Sequence, residues 1–399
     1  MTETDILIIG GGIAGCATAW ALAEGKHDVT VLERGEIASE ASGVNAGSIG
    51  GIGWGHMPNL ESHLTMGSLE LFKQLQLDHG YDVEFRQSGT LQAIHDDAQY
   101  AFARDHVLQQ RERGYTLELL SSREARSLEP EWNPALCGAI YAPLRAQADP
   151  QKATRAFAAA AARSGAHVFE HRPLLAIHAH ADGAYRVETA AGELRAGALV
   201  IAAGAWCAPI GELLGMRIPI VPVRGQMWAT AALPPRAFHT ISSVESMLHW
   251  HDTPGNDDQT PPHLTHAGTR RLTRHLYGRQ RRNGQVIFGG DRQWVGFDKQ
   301  PDPAGIEVNR AHAAEVLPFL SAVPLQRTWA GLMPFSLDGA PLIGKIPQRD
   351  NLYIVSGLAS SGFGRGPMAG KLLADYIHSG QRPPVLAEAD PARCVTEIA

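Results

Sequence analysis

Three glycines near the start of the chain, Gly10, Gly12 and Gly15, stand in the spacing G-x-G-x-x-G. That spacing has a chemistry. It lets the main chain turn tightly, approach a pyrophosphate without side-chain interference, and pack a helix closely onto a strand. Amides at the helix N-terminus then carry partial positive charge toward the phosphates. Glu33 completes the set, because a carboxylate at the end of a second strand accepts hydrogen bonds from an adenosine ribose and repels a 2′-phosphate. NADP is therefore disfavoured, although Arg34 follows at once. The elements that must position these groups are all legible. Asp5 to Ile9 (DILII) is a continuous apolar run suited to a buried parallel strand. Ala14 to Glu24 is rich in Ala and Leu with Gly25 placed to end it, and His27 to Glu33 reads as the second strand. Together they form a βαβ unit for a dinucleotide, without saying which one.

Length and composition bound what such a unit belongs to. At 399 residues the chain is longer than one ordinary domain, which favours two domains or one with a large insertion. With 44% apolar and 19% charged residues it can bury a large core. Its 35 basic and 41 acidic residues leave a net charge of −6 with no polybasic block, so a small-molecule partner is favoured over nucleic acid or anionic lipid. Cys16, Cys137, Cys207 and Cys394 form no C-x-x-C, so no zinc or iron–sulfur site is expected, and a reducing, cytoplasmic setting fits. The N-terminus lacks the basic flank of a signal peptide, and no apolar run approaches the ~20 residues needed to span a bilayer.

Further along, Leu60 to Gln76 reads as a helix after a Gly-, Ser- and Ala-rich loop. Asp149 and Pro150 supply an N-cap and a first-turn proline for an Ala-rich helix that stops at Gly165. AHVFEH, YRVETAA and ALVIAAG read as strands, the last ending at Gly204. Leu233 to Gly268, rich in Pro, His, Asp and Thr with no apolar period, is expected to be a long exposed loop and a candidate lid. HLYGRQ and QVIFGGD, joined by Arg282 to Gly284, read as a hairpin. The chain closes with the strand NLYIVSG, a second glycine-rich turn SSGFGRGP, and the helix MAGKLLADYI. No second strand–G-x-G-x-x-G–helix unit is found, so if the one dinucleotide is FAD there is no separate nicotinamide domain to deliver electrons to it, and the reductant must be the substrate itself.

IIGGGIAG with Glu33, then EASGVNAGS, VIAAGAW, PVRGQMW, AGLMPFSLDGAPLIG and GLASSGFGRGP, occur in an order that resembles the FAD-dependent amino-acid oxidase family. That family includes glycine and sarcosine oxidases, D-amino-acid dehydrogenases and the flavin subunits of D-hydroxyproline and opine dehydrogenases. The resemblance spans nearly the whole chain. It implies an α/β fold, α+β overall, with a discontinuous, doubly wound Rossmann-type FAD-binding domain and an antiparallel-sheet substrate domain. The corresponding division assigns residues 1–85, 141–215 and 333–385 to the FAD domain, and 86–140 and 216–332 to the substrate domain. By the same resemblance FAD is the cofactor. Gly10, Gly12, Ile13, Ala14, Gly15, Glu33 and Arg34 are implied to hold its ADP half, with Ser42, Gly43, Asn45, Ala46, Gly47 and Ser48 along the pyrophosphate and flavin. Leu174 is implied to meet the adenine, Ala203, Gly204 and Trp206 to form the next wall, and Gly331, Ser360, Ser361, Gly362, Phe363 and Gly364 to meet the flavin. Sarcosine oxidase attaches its flavin to a Cys near the segment that is Gly331 to Pro334 here, where this chain has none.

The resemblance implies oxidation of the C–N bond of a D- or N-substituted amino acid. Alternatives are the flavin subunit of a heteromeric dehydrogenase that passes electrons to a partner, or a flavin-bound relay without its own substrate. Such oxidation needs little acid or base machinery, since the protein mainly orients the C–H bond. It does need a carboxylate anchor, usually an Arg fork with a Tyr hydroxyl. Glycine and D-amino-acid oxidases carry an Arg in the AGLMP segment, where this chain has Met333. Tyr277 matches a substrate-contacting Tyr, and Arg292, on the return strand, is the candidate for a relocated positive charge. His275 and Arg279 alternate with Tyr277 and are further candidates on its face. Arg224 reads as structural, and His56, His249 and His251 as bystanders. In GSIGGIGWGHM, the glycines suggest a mobile wall with Trp54 as an apolar contact.

Overall fold

The apolar run at the start of the chain becomes the strand Thr2–Ile9, with Leu7 and Ile8 fully buried in a sheet covered on both faces. The computed structural model describes residues 2–253 and 259–398. Val29–Leu32 and Gly192–Ile201 flank that strand in parallel, and His167–Phe169 and Leu352–Ser356 extend the two sides, also in parallel. Leu342–Lys345 adds an antiparallel edge, and Leu174–Ala179 with Tyr185–Thr189 forms a meander on the long strand Gly192–Ile201. This is the expected doubly wound layout. Leu174–Ala179 is an addition to the strands read from the sequence.

The helix Ile13–Glu24, capped at its C-terminus by Gly25, crosses between the first two strands. It is apolar nearly all round because neighbours cover it on several sides, including the helices Pro150–Arg163 and Gly362–Ser379. Pro150–Arg163 starts as the sequence predicts: the Asp149 side chain accepts from the Lys152 amide at 3.0 Å, with Pro150 in the first turn.

The C-terminal helix departs from expectation. It begins at Gly362, so most of SSGFGRGP is helix and not turn. Close packing explains its glycines. A Cβ at Gly366 would lie 2.8 Å from Ile13 Cγ2, and one at Gly370 would lie 2.6 Å from the Ala14 carbonyl oxygen. Four residues apart, they share the face that meets the first helix.

The second sheet runs Leu325–Ser336, Ile220–Ala232, Gln285–Gly289, Tyr277–Gln280, Thr240–Ser243, Thr90–Ile94, Gly138–Ala142, Glu118–Ser121. Its pairings are antiparallel except for Thr240–Ser243 beside Thr90–Ile94. The hairpin is as read, with Tyr277 opposite Gly289. The exposed-loop expectation for Leu233 to Gly268 is corrected: Thr240–Ser243 lies in the middle of this sheet, and Glu245–Asp252 is a helix. Its polar sequence hid the strand. The Thr240 hydroxyl bonds the Thr90 hydroxyl and the Gly89 carbonyl, so satisfied polar groups stand where an apolar alternation would be sought. Residues 254–258 of that segment, part of the candidate lid, lie outside the described residues. Among the described residues no helix is long and apolar enough to cross a membrane.

Candidate active site

A cleft of about 340 Å³ opens at the carboxyl ends of the parallel strands, with walls from both sheets. Its floor is the N-terminus of the first helix, where Gly10, Gly12, Ile13 and Ala14 line it. Gly10 has φ +115°, a conformation that favours glycine, and a Cβ there would strike the Ala202 carbonyl oxygen. The Ile13 amide donates to Ser42 Oγ at 3.0 Å. Glu33 lies at one end, its two carboxylate oxygens accepting from the Gly11 and Gly35 amides at 2.8 Å each. Arg34 lies over the Trp206 ring at 3.8 Å and is paired with Glu40, so its charge is already engaged. Leu174, Ala203 and Gly204 continue this wall, and Asn45, Gly331, Ser360, Gly362 and Phe363 line the far end with Met333 and Tyr277.

Three of the implied cofactor residues line neither this cleft nor the chamber that adjoins it. Gly15, Gly43 and Gly47 are packing positions, because a Cβ on them would strike the carbonyls of Gly10, Ala38 and Ala148 respectively. They shape the loops that carry the lining residues.

A second chamber of about 430 Å³ adjoins the cleft, and Asn45, Tyr277, Ser360 and Phe363 line both. Ala46, Ser48, Ser361 and Gly364 face this chamber, as does Arg292. Tyr277 and Arg292 are thus brought together. Burial pushes the Tyr277 hydroxyl up to about 12 despite the opposing charge of Arg292, so it stays a proton donor. Arg292 is pushed down to about 10, first by burial. Its guanidinium stacks on Trp250 at 4.2 Å and donates to the His263 carbonyl at 3.3 Å. Arg292 makes no ion pair with a carboxylate among the described residues, and its Nε is buried without a partner.

His275 joins this group as support. It is held well below its ordinary value, chiefly by burial and then by Arg292 and His312, and is therefore neutral. Its Nε2 lies 3.4 Å from Arg292 Nη2 and its Nδ1 lies 2.8 Å from Ser246 Oγ. With the guanidinium donating to Nε2, the ring proton sits on Nδ1 and points to Ser246.

Arg279 is corrected as a substrate candidate. It is buried and spends its donors on the Ala46 and Ala148 carbonyls at 2.5 and 2.8 Å and on Gln147 Oε1 at 3.2 Å. It fastens the loop after Asn45 to the segment before the Pro150 helix. Trp54 is likewise corrected: it is 43% exposed, edge-on to His63, while the main chain around it bonds to residues 113–116. Arg224 is structural as read, bonded to Gln293, Asp298 and the Gln300 carbonyl.

The family described as FAD dependent oxidoreductase matches residues 5–376. The chain belongs to that family. It is 28% identical to a glycine oxidase of Bacillus licheniformis over 94% of this chain and 92% of that protein. It is also 28% identical to the human mitochondrial dimethylglycine dehydrogenase over 98% of this chain and 44% of that protein. The solved glycine oxidase of Geobacillus kaustophilus superposes with a TM-score of 0.83 at 25% identity, covering 98% of this chain and 99% of that one.

As a member of this FAD-dependent family the chain uses FAD, and its cleft fits that group. A carboxylate at one end, a helix N-terminus with Ser42 in the middle and an apolar, aromatic far end follow the order ribose, pyrophosphate, flavin ring. The side chain of Gly12 is missing where phosphates must approach, since a Cβ there meets nothing nearer than Ser42 Oγ at 3.2 Å. Sequence reasoning missed Arg145, Arg365 and Gln92 in the chamber. Gln92 and Arg145 come from segments that carry no motif, whereas Arg365 lies inside GLASSGFGRGP, where only the serines, the glycines and Phe363 were singled out.

Proposed function

We propose that this chain oxidises the carbon–nitrogen bond of an amino acid, D-configured or N-substituted, to an imine that water then hydrolyses. The observation that carries this reading is Arg292 beside Tyr277: a cation without an anionic partner among the described residues and a neutral hydroxyl donor, facing a chamber that adjoins the cofactor cleft. When bound, FAD accepts a hydride from the substrate carbon. Arg292 offers its fork to the substrate carboxylate and Tyr277 adds a hydrogen bond, both strengthened by removal from water. Neutral His275 and the Trp250 face orient the guanidinium, replacing the Arg that Met333 does not supply. No side chain is needed to form a covalent bond with substrate. The protein's work is to hold the C–H bond toward the ring and keep the chamber dry.

We assign the cofactor roles to the lining residues named above, and the FAD part of the fold to residues 1–85, 141–215 and 333–385. A cytoplasmic setting accords with four unpaired cysteines. A second reading, the flavin subunit of a heteromeric dehydrogenase, draws on the exposed apolar run of Trp294, Val295 and Phe297. The test is an absorption spectrum of the purified protein followed by anaerobic addition of an amino-acid panel. Bleaching of the flavin by at least one amine is expected. A yellow protein that no amine reduces would overturn the assignment.

A further inference from the structure

The chamber holds more positive charge than one carboxylate requires. Arg113, Arg145, Arg292 and Arg365 line it, against Glu61 as the sole acidic lining residue among the described residues. Glu61 is taken by Arg365 at 2.6 Å. Arg113 is exposed to solvent, which leaves Arg145 as the partly buried cation without an anion. Among the described residues its guanidinium has no hydrogen-bond or ion-pair partner, and its Nε is buried and unbonded. Burial pushes this guanidinium below its ordinary value, with neighbouring Arg365 adding to the effect and Glu61 opposing it. Arg145 lines the chamber and not the cofactor cleft, so it is not placed to serve the pyrophosphate. A partly buried cation without an anion is costly, and an incoming anion relieves that cost.

We infer that the substrate carries two carboxylates flanking the amine, one held by Arg292 with Tyr277 and the second by Arg145. This rests on the chamber being the substrate site and names the class of substrate it takes: a secondary amine bearing a carboxyalkyl group, such as an N-carboxymethyl or N-carboxyethyl amino acid. Nothing in the redox step changes. The hydride leaves the carbon beside nitrogen for the flavin, the nitrogen gives up a proton, and hydrolysis of the imine releases an amine and an oxo acid.

The holoenzyme is compared on iminodiacetate and sarcosine, which differ by the second carboxylate alone. We expect kcat/KM to favour iminodiacetate by about 100-fold, the order expected for one desolvated charge-assisted pair. Arg145→Met should reduce that ratio by the same order, and Arg145→Lys should restore part of it. Calorimetry with oxydiacetate and methoxyacetate, neither an amine, asks the same of binding without turnover. Tighter binding of oxydiacetate to the unaltered enzyme, by tenfold or more, supports the inference even if the variants do not fold. Equal binding of the two, or a wild-type ratio near one, overturns it. If sarcosine bleaches the flavin as readily as iminodiacetate, the two-carboxylate inference falls and amine oxidation stands. If no amine bleaches it, the oxidation assignment falls and the calorimetry still decides the cation pair.

Discussion

Gly370→Ala sets two effects of known size against each other. In an open helix interior the change stabilises by about 1 kcal/mol, because Ala has the better helix propensity. At this position the added methyl would lie 2.6 Å from the Ala14 carbonyl oxygen and 2.8 Å from both the amide nitrogen and Oγ1 of Thr18, well inside ordinary contact. Two of these three neighbours are main-chain atoms of the buried first helix and cannot rotate away. Overpacking against such a surface costs about 1–3 kcal/mol, and relief by helix separation would open the buried seam that Ala14, Ala369 and Leu373 close. The clash therefore exceeds the propensity gain, and we expect a net loss of about 1 kcal/mol. Both helices present their N-termini to the cleft, so moving them apart should also weaken FAD binding, by about tenfold for each 1.4 kcal/mol lost there. Denaturant titration of the apoprotein reads the first effect, and flavin fluorescence on titration with FAD reads the second. A variant as stable as the parent, with the same FAD affinity, would show slack between the helices and refute this account of the glycines.

Arg292→Met should raise KM for a carboxylate substrate by about 100-fold, the loss of a charge-assisted pair; steady-state kinetics with the flavin spectrum as a fold control will show it, and an unchanged KM removes Arg292 from the site. Arg279→Met should act differently, lowering stability by about 2 kcal/mol through the orphaned Ala46 and Ala148 carbonyls; a rise in KM without loss of stability would return it to the substrate. His312 is buried and pushed down to about 2, chiefly by burial and then by Arg274 and His95. The unfolded chain therefore takes up a proton there that the folded one refuses. Stability should fall as pH drops below 6.5, by up to about 1.4 kcal/mol per pH unit from this group. Denaturant midpoints at pH 7 and 5.5 measure it, and a His312→Phe variant with the same slope as the parent would rule this histidine out as the source.

Much of the cofactor cleft was legible in the sequence because its determinants are local. Gly10, Gly12 and Glu33 lie within one strand–helix–strand unit whose spacing marks them, although the carbonyl that excludes a side chain at Gly10 comes from distant Ala202. The packing role that the spacing gives Gly15 is the one the structure shows, and Gly43 and Gly47 likewise mark backbone crossings. The same locality misled at SSGFGRGP, where glycines that permit a helix to pack were read as a turn. Arg279 and Tyr277 alternate on one strand and look equivalent in sequence. What separates them is that the Ala46 and Ala148 carbonyls, from far earlier in the chain, reach the first.

Sequence by itself determined the dinucleotide unit, the alternation of strands and helices that builds the parallel sheet, and the absence of an Arg at Met333, because spacing along the chain carries all three. Tertiary structure alone decided which cations are free. Arg224, Arg279 and Arg365 are engaged by carboxylates or carbonyls drawn from other segments, whereas Arg145 and Arg292 meet in one chamber without an anionic partner among the described residues. Charge is a property of the residue, but whether that charge is satisfied depends on what long-range folding brings beside it.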